Sequence, residues 1–559
     1  MEKLTNHFNW KLAGVIFLGT AYFLLVGCSK QMNADDAIPK KTKISVRVDG
    51  IDESIKNAQG EAKASAASKE VSAKEVAELH FAGFDASLSV DHELGTAGGR
   101  KMIKSSSRKG ASKQVMGAAM DPGVKYRLYL YKADNSFVSS TELTSDVPAE
   151  IEVDQGVDYK WYALSYNNSE SPVDVNPATP TVTSLSLPAN KDILYDAGTF
   201  SVPTGPTPID VPVSIVFDHM VSRIGIELNT MGMFADMASA VVSVTGLSTY
   251  SGTFDLASGT WGTLTAAANG IDWADFVNIE EPYADRKIAY VFTPSTAAIN
   301  NLTVTMTDLS LNLDDNTVRS FSALLAATPS VFTFNVSPVV ANDHRLLVNL
   351  IESPLTVGGV RWGRANLYYA GGHNPYRFHH TYAHSSERNT FFSFKGLVPQ
   401  SFGVNGDPCA EVYPAGKWRM PTNNDLMALT GTPPLYLNGQ ANTTGATGGL
   451  GYLEYTNATG TAAPYPSNDL HFNYNGGSLS VGLVGGLLQV TFGNLGITGE
   501  YWSSTNGTNI LGLVGLGGYS LLMTNTLGDM MEAELLNVQT LGVDVIESPF
   551  KNVRCVRAN

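Results

Sequence analysis

One cysteine near the start of the chain is placed for a covalent modification. Cys28 follows Leu25-Val26-Gly27 and closes an uncharged apolar stretch, Leu12–Val26, that begins after basic residues. A basic start, a short apolar stretch and small residues before a cysteine are typical of an export signal whose cysteine is acylated before cleavage. We expect a signal peptide over residues 1–27 and a lipid on Cys28, the alternative being an uncleaved membrane anchor with a chance cysteine.

The two remaining cysteines, Cys409 and Cys555, both lie in the last third of the chain. Once Cys28 carries a lipid, they form an even pair in an exported protein, and such a pair predicts one disulfide. In the chain-entropy picture, closing so long a loop stabilises the folded state by at most roughly 5 kcal/mol. No thiol is then left for nucleophilic chemistry.

Imidazoles and a carboxylate gather around residue 380 and raise the question of a metal site. The residues are His373, His379, His380, His384 and Glu387. They lack the helical spacing of common ligand pairs and stand among aromatic residues. We interpret them as hydrogen-bonded histidines of loops or strands, and we predict no metal and no cofactor.

Two aromatic pairs could form a flat surface that stacks on a sugar ring. They are Trp418-Arg419 and Tyr501-Trp502. Tryptophan side chains are more often part of a core than of an exposed platform, so we favour a core role for these residues and keep the ligand platform as the alternative. The sequence has no G-x-S-x-G and no H-E-x-x-H motif, and we predict no catalytic residue and no enzymatic activity.

Composition narrows the class of protein. The 559 residues carry a formal net charge of −15, and only 16% of them are charged. Basic residues form no stripe beside aromatic ones, which argues against a nucleic-acid partner. Past Cys28 no apolar stretch is long enough to span a bilayer. Abundant Gly, Thr, Ser and Asn are typical of an extracellular β-protein.

The order of strand-like and irregular stretches predicts how the chain is divided. After the signal we expect a leading region over 28–120, β-sandwich domains over 121–205 and 206–352, and a last domain over 353–559. The proline-rich joint Pro203–Pro208 marks the boundary between the two sandwiches. The last domain should contain a short helix that begins with the capping box Pro421-Thr422-Asn423-Asn424-Asp425.

The leading region mixes strand patterns with polar sequence. Lys43–Val48 and Phe84–Val90 alternate as strands do, whereas Ala62–Leu79, with a possible capping box at Ser72 and Glu75, predicts a short helix or disorder. A basic Gly- and Ser-rich segment comes next, at residues 98–110. We expect that segment to be exposed and easily cut by a protease.

Three motifs in the front half together resemble the fimbrillin family, the lipoprotein-derived pilins of Bacteroidota. The motifs are Gly123-Val124-Lys125-Tyr126-Arg127-Leu128-Tyr129-Leu130-Tyr131, Tyr159-Lys160-Trp161-Tyr162-Ala163 with Tyr166-Asn167, and Val216-Phe217-Asp218-His219-Met220-Val221-Ser222-Arg223-Ile224. The resemblance implies that the two sandwiches are of the pilin type.

Residues 353–559 resemble a different module, the C-terminal domain of the Fibrobacter-type major paralogous family, which has an α+β C-type-lectin-like fold. Five motifs carry this resemblance: Trp362–Leu367, Asp407–Ala410, Trp418–Thr422, Tyr501–Ser504 and Val553–Arg557. A pilin-type front with an extra C-terminal domain is similar to the accessory tip subunits of the major fimbrium.

The resemblance implies assembly by donor-strand exchange. A protease that cuts after arginine frees the first strand, and a strand of another subunit fills the groove, gaining backbone hydrogen bonds and apolar burial together. Arg100 and Arg108 are the candidate cleavage sites because Arg47 lies inside a strand-like run, the alternative being that the segment is a plain solvated basic loop. A C-terminal strand tied through Cys555 cannot be donated, which suits a tip subunit.

The expected function is therefore an adhesive fimbrial accessory subunit. It would start as an outer-membrane lipoprotein, join the fimbrium, bind host or bacterial surface receptors, and aid biofilm formation. The first alternative is a surface glycan-binding lipoprotein that never polymerises. An enzyme on a lectin-like scaffold is a further alternative, disfavoured because the cysteines that such catalysis needs are missing.

Overall fold

The computed structural model describes residues 40–52, 74–91, 118–206, 211–380, 388–401, 406–429, 440–442, 451–456, 458–461, 463–484, 487–493, 495–506, 518–524, 533–537 and 550–558. Within these ranges the chain is mainly β, as predicted. None of the helices in the described ranges is long and apolar enough to cross a membrane.

The front of the chain forms one large sheet and contributes strands to a second. The first ten strands are β1 (Lys41–Asp52), β2 (Lys74–His80), β3 (Phe84–Asp91), β4 (Lys125–Lys132), β5 (Phe137–Thr144), β6 (Ala149–Asp154), β7 (Asp158–Ser165), β8 (Ser184–Leu187), β9 (Leu194–Ser201) and β10 (Val211–His219). Seven of them make the front sheet, in the order β5-β4-β7-β9-β10-β1-β6.

Both faces of the front sheet bury apolar side chains. Leu128 and Trp161 point into a core formed by strands of this sheet, while Tyr129 and Tyr162 point to the opposite face and pack near Leu185. Strand β10 belongs to this sheet, although it lies beyond the domain boundary expected at residue 206. Pairing between strands distant in sequence, rather than the proline-rich joint, decides where this sheet ends.

The middle of the chain builds a two-sheet sandwich. Its elements are β11 (Ser222–Gly232), β12 (Asp236–Thr245), β13 (Ser248–Asp255), β14 (Thr260–Ala268), a 3-10 turn (Trp273–Asp275), β15 (Val277–Asn278), β16 (Arg286–Thr293), β17 (Ile299–Asn312), β18 (Val318–Ser320), α1 (Ser322–Ala327), β19 (Ser330–Val336) and β20 (Asp343–Glu352). One sheet runs β15-β16-β11-β20-β3-β2, and β12, β17, β18 and β19 form the other. A smaller sheet, β14-β13-β8, links this part to the front.

Strand β2 corrects one expectation. The stretch Ala62–Leu79 was predicted to be a short helix or disordered, but its end lies in the edge strand Lys74–His80. This strand pairs with β3, Lys74 lying opposite Val90 and His80 opposite Asp85. The Ala, Lys and Glu content favoured a helix, but the open edge of β3 offers a full ladder of backbone hydrogen bonds. A sheet contact thus overrides the local propensity.

The last third is built from small sheets and one short helix. Its elements are β21 (Leu355–Val357), β22 (Val360–Trp362), β23 (Leu367–Tyr369), β24 (Tyr376–Phe378), a 3-10 turn (Arg388–Thr390), β25 (Trp418–Arg419), α2 (Asn423–Met427), β26 (Gln440–Asn442), β27 (Tyr452–Tyr455), β28 (Leu470–Asn473), β29 (Gly477–Val484), β30 (Leu487–Gly493), β31 (Thr498–Asn506), β32 (Gly518–Thr524), β33 (Ala533–Asn537) and β34 (Val556–Arg557).

The predicted helix is present and begins where its capping box placed it. The Thr422 side chain accepts a hydrogen bond from the Asp425 backbone, and the Asp425 carboxylate accepts one from the Thr422 backbone. These two contacts satisfy backbone donors that a helix start otherwise leaves unpaired. The C-type-lectin-like fold of this region stays a prediction.

Candidate functional site

Strand β1 has two neighbours in the front sheet. It runs antiparallel to β6, with Lys41 opposite Asp154 at one end of the ladder and Val46 opposite Ala149 at the other. It runs parallel to β10, with a ladder that begins where Ile44 pairs with Val211 and ends where Asp52 pairs with Asp218. Within the described residues β6 has no other strand partner, because it closes the order of the sheet. Strand β1 therefore attaches β6 to the rest of the sheet.

The alternation of β1 gives it one apolar and one charged face. Ile44 and Val46 are buried in the front-sheet core, whereas Lys41 and Lys43 point to solvent. The lysines form exposed ion pairs with β6, 3.2 Å from Lys41 Nζ to Glu152 and 2.8 Å from Lys43 Nζ to Glu150. Exposed pairs of this kind stabilise little, so apolar burial and the two hydrogen-bonded ladders hold β1 in place.

Strand β1 contains a bulge at Gly50, near its end. The register with β10 shifts between Val48 and Gly50, and Gly50 has a φ of 144°, a value that residues with a side chain rarely adopt. Beyond it, Ile51 exchanges two backbone hydrogen bonds with Ala118, of 2.8 and 2.9 Å. The chain thus returns to the end of β1 after the basic segment.

Of the three arginines considered as protease cleavage sites, only one lies within the described residues. Arg47 lies within β1, its side chain 2.9 Å from Asp49 and its backbone in register with Ser214 of β10. An arginine paired in a ladder is a poor protease substrate, because its backbone is hydrogen-bonded to neighbouring strands and cannot enter a protease active site. Arg100 and Arg108 lie outside the described residues, as does Cys28.

The C-terminal strand is fixed inside its own region. Cys409 and Cys555, the predicted disulfide pair, are bonded, with their Cα atoms 5.6 Å apart. Strand β34 lies between β22 and β25, where Trp362 pairs with Val556 and Trp418 with Arg557. In this arrangement residues 550–558 are not available to pair with a sheet of another molecule.

The five motifs of the last third meet in one core. The Arg554 guanidinium donates to the Asn366 side chain over 2.9 Å, and the Trp502 backbone donates to Asn552 over 3.0 Å. The Met420 backbone donates to the Asp407 carboxylate over 2.9 Å. The motifs are therefore close together because they build the interior of this region.

This burial corrects the platform hypothesis. Trp418 and Tyr501 are fully buried, and Trp502 is 1% exposed. Arg419 is partly exposed, and its guanidinium pairs with Asp425 rather than extending a flat surface. A sugar ring needs an accessible aromatic face to stack on, so these residues do not form the ligand platform that was the alternative to a core role.

The histidines of the residue-380 group go to separate partners. His373 Nε2 lies 2.8 Å from an Asp285 carboxylate oxygen and its ring stacks on Tyr283, whereas His380 Nε2 lies 3.1 Å from Asp315. His379 stacks on His380. His384 and Glu387 lie outside the described residues. In the described part these imidazoles join the last region to the sandwich and do not converge on one point.

Two other groups of potential metal ligands escaped sequence reasoning. They are Glu78, His80 and Asp85, and Glu454, Asp469 and His471, with the ligand atoms of each group within 4.8 Å of one another. His471 lies opposite Glu454 on the neighbouring strand, and burial lowers the pKa of its ring. Strand pairing brings the members of each group together, and the spacing of these residues in the sequence does not indicate it.

Comparisons with known proteins give only distant likeness. No protein-family model matches the sequence, and no curated protein sequence matches it. A candidate cell adhesion protein from Bacteroides fragilis has a TM-score of 0.27 at 10% identity, over 41% of this chain and 81% of its own. The fimbrial anchor protein Mfa2 from Porphyromonas gingivalis has a TM-score of 0.24 at 7% identity, over 54% of this chain and 100% of its own.

A fimbrial assembly protein from Parabacteroides distasonis has a TM-score of 0.21 at 11% identity, over 40% of this chain and 82% of its own. These three structures are thus one cell adhesion protein and two fimbrial proteins. TM-scores of this size assign no family, so we infer the function from the chain's own residues.

Proposed function

We propose that this protein is an adhesive accessory subunit of a surface fimbrium, assembled by strand exchange at the position of β1. A protease cuts at Arg100 or Arg108, β1 leaves its place between β6 and β10, and a strand of another subunit enters. The subunit begins as an outer-membrane lipoprotein acylated on Cys28. In the fimbrium it contacts host or bacterial surface receptors and aids biofilm formation.

The observation that carries the proposal is the position of β1. It is a strand with one buried face, paired on both sides, and its neighbours would expose two unpaired backbone edges once it left. Val213, Ile215 and Phe217 of β10 would become accessible beside those edges. An incoming strand would regain the ladders and bury the same apolar side chains, which is the physical basis of β-augmentation.

The fixed C-terminal strand supports a position at the tip. A subunit inside a fimbrial shaft must both accept a strand and give one. Here Cys555 is bonded to Cys409, and the Ala558 backbone donates a 3.0 Å hydrogen bond to Lys417. Residues 550–558 are thus held on both sides of β34, so we propose that the subunit accepts a strand and does not donate these residues.

The alternative is a glycan-binding lipoprotein that never polymerises and uses its C-terminal domain alone. An aromatic platform would have favoured it, but Trp418, Tyr501 and Trp502 are buried. Receptor binding therefore needs another surface of the last region, and a C-type-lectin-like fold of residues 353–559 remains part of the proposal.

Mass spectrometry of purified fimbriae tests the proposal. We expect the chain among the fimbrial components, in a low ratio to the shaft subunit, with a mature N-terminus directly after Arg100 or Arg108. A chain that is absent from the fimbriae and remains uncut from acylated Cys28 onwards would contradict strand exchange. A copy number equal to that of the shaft subunit would contradict the tip position alone.

A further inference from the structure

The hairpin formed by β2 and β3 also precedes the proposed cleavage sites, but it is held differently from β1. Strand β3 lies inside the second sheet, between β20 and β2. Its ladder with β20 begins where Phe84 pairs with Glu352 and ends where Asp91 pairs with Arg345. Phe84, Ala86 and Leu88 enter the sandwich core on one face, while Ser87 and Ser89 are buried on the other. Both faces of β3 are therefore covered, whereas β1 keeps one face in solvent.

A buried ionic contact joins this hairpin to the last strand of the chain. The Asp85 carboxylate accepts hydrogen bonds from Arg557 over 2.6 Å and from Arg361 over 3.1 Å, and it lies 2.8 Å from His80 Nδ1. Arg557 is 2% exposed, and its guanidinium stacks on Trp418. Within the described part of the chain, Arg557 Nε and Nη1 have no hydrogen-bond partner. Asp85 is thus the carboxylate that directly balances a buried cation.

The turn of the hairpin is held by the last region as well. The Gly83 carbonyl accepts hydrogen bonds from the Tyr465 hydroxyl over 2.7 Å and from the Ser353 hydroxyl over 3.1 Å. At the edge, Lys417 Nζ lies 2.8 Å from the Glu78 carboxylate. If the hairpin left, these donors would lose their partners together with Arg557. Removing one member of a buried ion pair is strongly destabilising because it leaves an uncompensated charge.

We propose that the β2–β3 hairpin stays bound after the chain is cut between Asp91 and Ala118, so that the processed subunit is a two-chain protein. This inference rests on the proposed function, since it concerns the product of the cleavage that opens the front sheet. The hairpin acts as a non-covalent latch between the leading region and the body, and β1 is the exchangeable strand.

The latch has a consequence for the leading region. Residues 53–73, between β1 and β2, contain no arginine, so an arginine-specific protease cannot separate the two strands there. Once displaced, β1 therefore stays tethered to the body through the hairpin. A lipid on Cys28 would stay tethered in the same way, and cleavage at Arg100 or Arg108 would not by itself release the subunit from the membrane.

The test uses the full-length chain with a recognition sequence for a site-specific protease inserted between Gly98 and Gly99. This cut does not depend on whether Arg100 or Arg108 is processed in cells. A failure of the latch proposal in this test can therefore be distinguished from a failure of the proposed function in the fimbrial test. After cutting, the N-terminal fragment is tracked by size-exclusion chromatography and mass spectrometry. We expect it to co-elute with the body. A fragment that elutes alone overturns the inference.

Variants test whether Asp85 is the holding residue. Asp85→Asn keeps the shape but removes the charge, and we expect it to release the cut fragment at least about a hundredfold faster. Glu78→Gln is the matched control on the same hairpin, because its contact with Lys417 is partly exposed, and its effect should stay below about tenfold. Equal release rates in the two variants would overturn the role of Asp85.

A measurement without variants covers the case in which Asp85→Asn does not fold. Hydrogen–deuterium exchange on the cut, unsubstituted protein should leave the amides of Phe84–Asp91 as protected as in the intact protein. The proposal that the hairpin stays bound is contradicted if those amides exchange at the rate of an unfolded chain while the body remains folded.

Discussion

Ile44 lies directly opposite Ile151 in the antiparallel ladder between β1 and β6, and both side chains are buried. Since β6 has no second strand partner in the described structure, its place in the sheet depends on this contact and its neighbours. A strand that replaces β1 must therefore offer apolar residues at the positions of Ile44 and Val46. The requirement is a two-residue alternation and not a particular sequence.

Weakening the buried face of β1 should loosen β6. Ile44→Ala removes fully buried methyl groups, so we expect a loss of about 2–5 kcal/mol in the stability of the front sheet. Hydrogen exchange should then speed up at Ala149–Asp154. Lys43→Ala, on the exposed face of the same strand, is the control and should change the exchange little. Equal effects of the two substitutions would contradict a one-faced β1.

The disulfide should stabilise the last region measurably. The bonded cysteines are 146 positions apart, and closing a loop of that size stabilises by at most about 5 kcal/mol in the chain-entropy picture. A reducing agent should lower the melting temperature of the unsubstituted protein. It should leave that of a Cys409→Ser, Cys555→Ser double variant unchanged. Identical melting with and without reductant in both proteins would exclude a stabilising bond.

His219 should make the front of the protein more stable in mild acid. Burial opposes charge on its ring, but the Asp192 carboxylate, 2.8 Å from Nδ1, outweighs burial and raises the pKa of His219 above its ordinary value of 6.5. The folded state then binds the proton more tightly than the unfolded chain. The contribution is full below the ordinary value and is lost as the pH rises through the folded-state pKa.

Urea denaturation of the unsubstituted protein and His219→Gln measures this effect. The stability difference between them should be larger at about pH 5 than at about pH 8. Asp192→Asn should remove the same pH dependence, because it removes the group that raises the pKa of the His219 imidazole. A difference that does not vary with pH would show that folding does not change the pKa of the His219 ring, and it would contradict the account.

Trp502 should behave as a core residue. Its indole donates a 2.8 Å hydrogen bond to the Phe392 carbonyl, and its ring is 1% exposed. Trp502→Ala should destabilise the last region by about 3–5 kcal/mol. Trp273→Ala, at a half-buried position in the sandwich, should lower the stability by less. A Trp502→Ala protein of unchanged stability that had lost binding on a glycan array would restore the platform hypothesis.

Local patterns in the sequence predicted several of the strands. Alternation identified β4, β7 and β11, and the capping box identified the start of α2, because each signal lies within a few consecutive residues. Helix α1 was missed, since Ser322–Ala327 is short and its N-cap residue, Phe321, makes no side-chain capping bond.

Long-range relationships could not be predicted in this way. Asp85 and Arg557 are 472 positions apart, and no pattern in either neighbourhood links them. The assignment of β10 to the front sheet and the strand conformation of Lys74–His80 likewise depend on partners distant in sequence. Such contacts are set by the packing of whole sheets, which composition and periodicity do not encode.

Photo-crosslinking at Ser214 tests the central claim most directly. Ser214 lies on β10 opposite Arg47, and its side chain is exposed, so a photoreactive residue there reports which strand is beside β10. In the uncut precursor we expect a crosslink to residues 40–52 of the same chain. In purified fimbriae we predict a crosslink to another subunit. Fimbriae in which Ser214 still crosslinks only to its own β1 would contradict strand exchange.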